Sequence, residues 1–169
     1  LADNIENITL IGGGSINATG NALNNMITAN SGVNVLAGLA GDDVYIVNDT
    51  ADAVVENIGE GVDSVLSSAT YTLADNIENI NLTGSANINA TGNALDNVIV
   101  GNSGDNILDG GAGADSLSGG LGGDTYVVDD TGDVVIENIG EGTDTVQSSI
   151  TYTLTDNVEN FTLIGPDNL

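Results

Sequence analysis

The chain has 169 residues, of which 25 are Asp or Glu and none is Lys, Arg or His, so its formal charge is −25 at pH 7. This charge disfavours nucleic acid and anionic membrane surfaces as partners and favours cations. Without Cys, His or Lys there is no thiol nucleophile, imidazole base, Schiff base or soft-metal site. A carboxylate pair alone can hydrolyse a glycosidic bond, but we expect no enzyme activity within this chain.

Hydrophobic residues make up 40% of the sequence and recur at regular spacing, unlike those of a solvated acidic tail. No apolar run approaches the roughly 20 residues of a membrane-spanning helix. Disulfides are excluded because there is no Cys, so we expect bound metal to supply the cross-links of this fold. The sequence lacks an initiator Met, begins inside a repeat, and is expected to be a segment of a longer protein.

The first element along the chain is a long repeat. Its opening, Leu-Ala-Asp-Asn-Ile-Glu-Asn-Ile, starts at Leu1, returns at Leu73, and returns in degenerate form at Leu154. We therefore predict one continuous array over 1–169, with repeat blocks 1–72 and 73–153 and the start of a third block at 154–169. Since the second block is longer than the first by the length of one nonapeptide, the nonapeptide is predicted to be the structural unit.

Within each block, one position recurs in phase and carries Asn early and Asp late. These positions are Asn25, Asn34, Asp43, Asp52 and Asp63 in the first block, and Asn97, Asn106, Asp115, Asp124, Asp133 and Asp144 in the second. Asn keeps a ligand oxygen but loses the charge, so the early positions are expected to bind metal weakly or not at all. The intervening segments 68–73 and 79–83 alternate apolar with polar residues, which is typical of half-buried strands.

Two nonapeptides in the second block, 110–118 and 119–127, match the pattern G-G-x-G-x-D-x-U-x at every fixed position and follow one another without a gap. The pattern indicates a parallel β-roll that binds Ca²⁺. Its glycines allow tight turns, its Asp supplies a carboxylate, and its U residue (Leu117 or Tyr126) points inward. On these residues the sequence resembles the RTX (repeat-in-toxin, haemolysin-type calcium-binding) family of secreted bacterial proteins.

The resemblance implies an all-β fold, a parallel β-roll or β-solenoid in which each nonapeptide is a half-turn and several Ca²⁺ ions lie between loops that are two nonapeptides apart. The implied ligand pairs are Asp115 with Asp133, Asp124 with Asp144, Asp43 with Asp63, and the mixed pairs Asn97 with Asp115, Asn106 with Asp124, Asn34 with Asp52 and Asn25 with Asp43. The implied backbone carbonyl ligands belong to Gly110, Gly111, Gly113, Gly119, Gly120 and Gly122. Two of the pairs, those that end at Asp63 and Asp144, are spaced more widely than two nonapeptides and depart from the family spacing. The alternative is that the Gly-Asp turns only reverse the chain.

Two functions follow as hypotheses. The first is a structural segment of an extracellular or cell-surface bacterial protein, such as a stalk, adhesin, surface layer or self-assembling filament, whose partners are calcium and copies of itself end to end or other surface proteins. The second is a C-terminal folding and secretion module of a secreted enzyme such as a protease, lipase or epimerase. The resemblance adds type I secretion to both. A flat Thr/Asn face that binds ice or carbohydrate is a weaker alternative, because the Thr residues are irregularly spaced.

Overall fold

The computed structural model describes residues 1–165, so the end of the predicted third block, 166–169, lies outside the described part. The described residues form seventeen short strands and no helix. The strands are β1 Asn7–Thr9, β2 Ala18–Thr19, β3 Met26–Thr28, β4 Val35–Ala37, β5 Val44–Val47, β6 Ala53–Val55, β7 Ser64–Ser67, β8 Tyr71–Thr72, β9 Asn79–Leu82, β10 Ala90–Thr91, β11 Val98–Val100, β12 Ile107–Asp109, β13 Ser116–Ser118, β14 Thr125–Val128, β15 Val134–Ile136, β16 Thr145–Ser148 and β17 Asn160–Leu163. Among the described residues, no helix is long and apolar enough to span a bilayer.

The chain winds into a β-solenoid. Odd-numbered strands β1 to β15 form one eight-stranded sheet, while β2-β4-β6 and β8-β10-β12-β14-β16-β17 form a three-stranded and a six-stranded sheet. The pairings are parallel, and residues two nonapeptides apart face one another, as Ile99 faces Leu117 and Leu108 faces Tyr126. Each nonapeptide is therefore half a turn, which confirms the predicted parallel β-roll.

The core is a stack of inward-facing side chains, because alternate residues of a strand point to opposite faces. Ile27, Tyr45, Ile99, Leu117 and Tyr126 are fully buried, and Leu117 and Tyr126 are the U residues of the tandem nonapeptides. These side chains of adjacent turns stack on one another along the solenoid. Burial of each is favourable by about 1.5–3 kcal/mol, which is the main stabilising contribution within this slender fold.

The turns between strands line two edges of the solenoid. Loops that lead into the eight-stranded sheet, such as 38–43 before β5, form what we call the first edge. Loops that lead out of that sheet, such as 119–124 before β14, form the second edge. Because the second block has one extra half-turn, the loops that follow it lie on the opposite edge from their equivalents in the first block, whereas the equivalent loops that precede it lie on the same edge.

Candidate metal centre

The tandem nonapeptides make their turns with glycines at fixed positions. Gly111 and Gly113 have φ of 80° and 125°, and their counterparts Gly120 and Gly122 have φ of 87° and 126°. Residues with a Cβ rarely adopt this left-handed region. The second and fourth positions of the unit therefore favour glycine for backbone conformation, although Leu39 occupies the second position of the 38–43 turn with a φ of 76°.

The first position requires glycine for a different reason. A Cβ on Gly110 would overlap Oδ2 of Asp115, and a Cβ on Gly119 would overlap Oδ2 of Asp124. The missing side chain leaves a cradle in which the Asp of each unit folds back over its own turn. Gly110 and Gly119 thus border the two predicted carboxylates. Metal binding by the carbonyl groups of the six predicted glycines (Gly110, Gly111, Gly113, Gly119, Gly120 and Gly122) stays a prediction.

The recurring Asn and Asp positions form ladders along the two edges. In each, the backbone N–H of one turn donates to a side-chain Oδ1 of the next turn. The seven predicted pairs are joined in this way: Asn25 to Asp43 (2.6 Å), Asn34 to Asp52 (2.9 Å), Asp43 to Asp63 (2.8 Å), Asn97 to Asp115 (2.7 Å), Asn106 to Asp124 (2.7 Å), Asp115 to Asp133 (3.0 Å) and Asp124 to Asp144 (2.8 Å). The structure therefore brings together every predicted pair, including the two with the wider spacing. Whether these side chains bind metal stays a prediction.

The ladder positions occupied by Asn satisfy their own polar atoms. The Asn106 amide donates to the carbonyl of Ile88 at 2.6 Å, and the Asn34 amide donates to the carbonyl of Ile16 at 2.8 Å. Asn97 donates to Ile77 in the same way at 3.0 Å. In these turns the Asn side-chain amide donates a hydrogen bond to a backbone carbonyl of the preceding turn, so no cation is needed to satisfy that carbonyl.

The positions occupied by Asp differ, because a carboxylate has no donor. Oδ2 of Asp43, Asp115 and Asp124 is buried and has no hydrogen-bond partner, and these three residues are each 1% exposed. A buried, unpaired carboxylate oxygen is costly unless it is protonated or bound to a cation. These three oxygens are therefore the first observation that points to a bound ion.

Asp52 and Asp133 occupy the same ladder but are saturated by the backbone. Oδ1 of Asp133 accepts from Asp115, and its Oδ2 accepts from the N–H groups of Asp129 and Asp130, both at 3.0 Å. Asp52 is bound in the same way. Both residues serve here as caps of their turns.

Two Glu residues that the sequence reasoning missed complete two acidic clusters. Ligand atoms of Asp43, Glu56 and Asp63 lie within 4.8 Å of one another, and so do those of Asp124, Glu137 and Asp144. All six residues are buried. Glu56 and Glu137 occupy equivalent places in the two blocks, within Val-Glu-Asn-Ile-Gly-Glu-Gly and Ile-Glu-Asn-Ile-Gly-Glu-Gly. The similarity of these two segments is the sequence signal that could have identified Glu56 and Glu137 as functional residues.

Burial raises the pKa of these carboxyl groups. Desolvation, with added repulsion from the neighbouring acids, raises the pKa of Glu56 and of Glu137 to about 7 and the pKa of Asp63 and of Asp124 to about 6. Desolvation likewise raises the pKa of Asp115 to about 6. With no cationic side chain in the sequence, the charges can be neutralised only by protons or by cations from solution.

The chemistry of these sites suits a hard cation. Every available donor is a carboxylate, amide or main-chain oxygen, which Ca²⁺ prefers and which Zn²⁺ or copper sites rarely use alone. The orphaned buried oxygens and the glycine cradles fit such an ion.

Comparisons with known proteins agree with this chemistry. A family model described as the RTX calcium-binding nonapeptide repeat, in four copies, matches residues 19–53 and 91–126. The chain is also similar to the endo-1,3-1,4-beta-glycanase ExsH of Rhizobium meliloti, with 42% identity over 81 residues that cover 47% of this chain and 17% of that protein. The chain thus spans a small part of this relative. No solved structure matches the sequence significantly.

Proposed function

We propose, from the premise that this chain carries RTX calcium-binding nonapeptide repeats, that it is an extracellular structural segment that calcium folds and makes rigid. The observation that carries the proposal is the contrast along the ladders. Where the ladder has Asn, the polar atoms are satisfied; where it has Asp43, Asp115 or Asp124, a buried carboxylate oxygen has no partner.

Without a cation, the buried carboxylates repel one another and the glycine-rich turns lose much conformational entropy on ordering. A bound Ca²⁺ supplies positive charge between neighbouring turns and accepts these oxygens as ligands, so its binding free energy becomes folding free energy. Extracellular calcium modules have dissociation constants of about 10⁻⁴–10⁻³ M. At cytosolic calcium the chain would stay largely disordered, which suits export as an unfolded polypeptide.

The structural role in a stalk, adhesin, surface layer or filament is supported by the long tandem blocks and by the quasi-one-dimensional packing, in which each turn contacts only its neighbours. Its partners would be calcium and either copies of itself or other surface proteins. The alternative, a folding and secretion module of a secreted enzyme, is favoured by the similarity to a glycanase. Further copies of the 1–72 type of block in the flanking sequence would favour the first role, and a catalytic motif there would favour the second.

A far-UV circular dichroism titration with Ca²⁺, with Mg²⁺ as the control ion, tests the folding proposal. We expect a cooperative transition from coil to β structure with calcium alone. Replacing both Asp115 and Asp124 by Ala should raise the calcium midpoint at least tenfold, since each lost charge-assisted contact is worth about 1.5–3 kcal/mol. A full β spectrum in excess chelator would overturn the proposal, and an unchanged midpoint in the double variant would overturn the assignment of these ligands.

A further inference from the structure

We propose that Asp43-Glu56-Asp63 and Asp124-Glu137-Asp144 form a matched pair of cation sites of a second kind, each centred on a Glu outside the nonapeptide and positioned by a tyrosine of the core. We call them the glutamate sites. They share their Asp residues with the ladders, so this inference rests on the proposed function, but the Glu and Tyr components are additional. The ions they fit are hard cations of calcium's size, divalent or trivalent.

The glutamate sites differ from a plain nonapeptide turn because they contain a third carboxylate, which comes from a longer loop. Glu56 follows β6 and Glu137 follows β15, each at the start of the longer loop that leads to the next ladder Asp. In the first block the backbone holds the Glu side chain under the glycine turn, since Gly38 N–H donates to Glu56 Oε1 at 3.2 Å. The longer connection therefore delivers a third carboxylate that a nonapeptide unit lacks.

A second observation, independent of the clustering, points to an ion. Oε2 of Glu56 and Oε2 of Glu137 are buried without a hydrogen-bond partner, and so are Oδ2 of Asp43 and Oδ2 of Asp124. The exposed fraction of the two Glu residues is 7% and 8%. Each cluster thus contains two unpartnered buried oxygens that belong to different turns.

Tyrosine at the U position explains how the Glu is held. The U residue is Ile, Leu or Val in the neighbouring turns, whereas Tyr45 and Tyr126 donate their O–H groups to Glu56 and Glu137. The hydroxyl oxygen of Tyr126 also accepts from Gly119 N–H at 2.8 Å. Since one Glu oxygen is fixed by the phenol, the other oxygen is left for the ion. Tyr45 and Tyr126 are positioning residues.

Charge sets the preference among ions. Three carboxylates meet at each glutamate site, and the sequence has no cationic side chain to balance them. A divalent ion leaves one negative charge in excess, whereas a trivalent lanthanide neutralises the cluster. Among residues 1–165, these two are the groups in which three acidic side chains share a common ligand position. A lanthanide should therefore fill them before the Asp115 turn.

The test uses Tb³⁺, whose luminescence is excited by energy transfer from a nearby tyrosine. The full chain is titrated with Tb³⁺ under tyrosine excitation, and bound ions are counted by equilibrium dialysis. We expect strong sensitised emission that saturates as the two glutamate sites fill. The double variant Glu56→Gln/Glu137→Gln should bind these ions at least tenfold more weakly and lose most of the emission, while each single variant should lose about half of it.

Control variants distinguish the loss of a specific ligand or sensitising tyrosine from a general effect of the substitution on charge or folding. Glu6 is exposed, so Glu6→Gln removes one charge elsewhere and should keep the emission. Tyr45→Phe/Tyr126→Phe should remove most of the sensitised emission, whereas Tyr71→Phe should keep it, since the Tyr71 hydroxyl donates to the carbonyl of Asp52 instead.

The inference is wrong if Glu56→Gln/Glu137→Gln retains the emission and ion count of the parent chain, or if Tyr71→Phe removes the emission and Tyr45→Phe/Tyr126→Phe does not. Its failure is distinguishable from failure of the proposed function. Folding by calcium without any dependence on Glu56 and Glu137 overturns only the glutamate sites. Dependence of Tb³⁺ binding on both Glu residues in a chain already folded in chelator overturns only the calcium-folding proposal.

Discussion

The two repeat blocks have nearly the same sequence at their ends but present it on opposite edges of the solenoid. Tyr45 lies on β5 in the eight-stranded sheet, whereas its counterpart Tyr126 lies on β14 in the six-stranded sheet. The glutamate site of the first block therefore faces the first edge and that of the second block faces the second. The extra nonapeptide, 110–118, is half a turn, so it exchanges the two faces for everything that follows while the inward and outward pattern is preserved.

Early and late rungs of one ladder also differ in charge while they make the same backbone contact. Asn106 and Asp124 occupy consecutive rungs of the same ladder, and each supports its neighbour through a backbone N–H. The ladder itself needs only an oxygen acceptor. What Asp adds is a second oxygen that the protein leaves unpaired, so the choice between Asn and Asp sets the demand for cations without altering the path of the chain.

The largest expected effect comes from changing the length of the second block. Deleting 110–118 should leave a chain that still gains β structure with Ca²⁺, because a whole half-turn is removed and the core stack closes again. Deleting only 110–113 breaks the register of the ladder and should reduce the calcium-induced β signal by more than half. Circular dichroism at saturating calcium measures both.

The interpretation of the nonapeptide as an independent unit is wrong if the two deletions reduce the calcium-induced β signal equally. Equal loss would mean that the face exchange is not tolerated and that the nonapeptide is not an independent unit. Dialysis against calcium gives a second reading, since the chain without 110–118 lacks the Asp115 turn and should bind about one ion fewer than the parent.

Replacing Asn by Asp in the early turns should have an intermediate effect on the calcium midpoint. In Asn97→Asp/Asn106→Asp, the amides that donate to Ile77 and Ile88 are replaced by carboxylates that face those carbonyls. Each lost donor costs about 1–3 kcal/mol, so the calcium midpoint should rise several-fold while the ion count at saturation increases. Titration followed by circular dichroism and dialysis measures the two quantities.

A matched control is Asn17→Asp/Asn24→Asp, because both side chains are exposed and their oxygens accept backbone hydrogen bonds that a carboxylate can also accept. We expect little change in midpoint. A midpoint rise in this control as large as in Asn97→Asp/Asn106→Asp would show that charge alone, rather than the lost amide donor, is responsible.

The smallest expected effect is that of pH on the metal-free chain. The pKa of Glu56 and of Glu137 is raised by burial to about 7, from 4.5 for an exposed Glu. The folded state therefore binds more protons than the unfolded state between these values, and the metal-free fold loses stability as pH rises through about 7. In chelator, the β signal should be greater at pH 5 than at pH 8.

Calcium and protons compete for the same oxygens, so the calcium midpoint should also rise on acidification, by roughly tenfold per pH unit for each proton displaced. Glu56→Gln/Glu137→Gln mimics the protonated pair and should make the metal-free signal less sensitive to pH. Loss of β structure on acidification from pH 8 to pH 5 would contradict the assigned direction of these pKa shifts.

Much of the fold could be predicted from the sequence because every level of the pattern repeats. The phase of Asn106, Asp115 and Asp124 predicts the nonapeptide as the unit. The resemblance to the RTX family implies the half-turn, the separation of adjacent loops by two nonapeptides and the ladder pairs. Leu117 and Tyr126 in the U position predict the core stack. The glycines of 110–118 predict the turn, since residues without a Cβ adopt a left-handed backbone most readily.

The rest depends on side-chain placement that spacing does not encode. Glu56 lies outside the nonapeptide phase, so its return beneath the turn of Asp43 follows only from the path of the longer loop. The saturation of Asp133 by Asp129 and Asp130 depends on the orientation of its carboxylate towards local amides. The exchange of edges between the blocks follows from the single extra half-turn of the second block. It is recognised only once each strand has been assigned to its sheet.

The parallel ladder also has a mechanical consequence. Because the strands of neighbouring turns are joined along the solenoid axis and each turn contacts only its neighbours, a force that pulls the two ends apart acts on one half-turn at a time. Each nonapeptide that detaches releases about 30 Å of extended chain. A protein that contains such a segment would lengthen in small, reversible increments rather than rupture at once, and the calcium concentration around it would set the force at which lengthening begins.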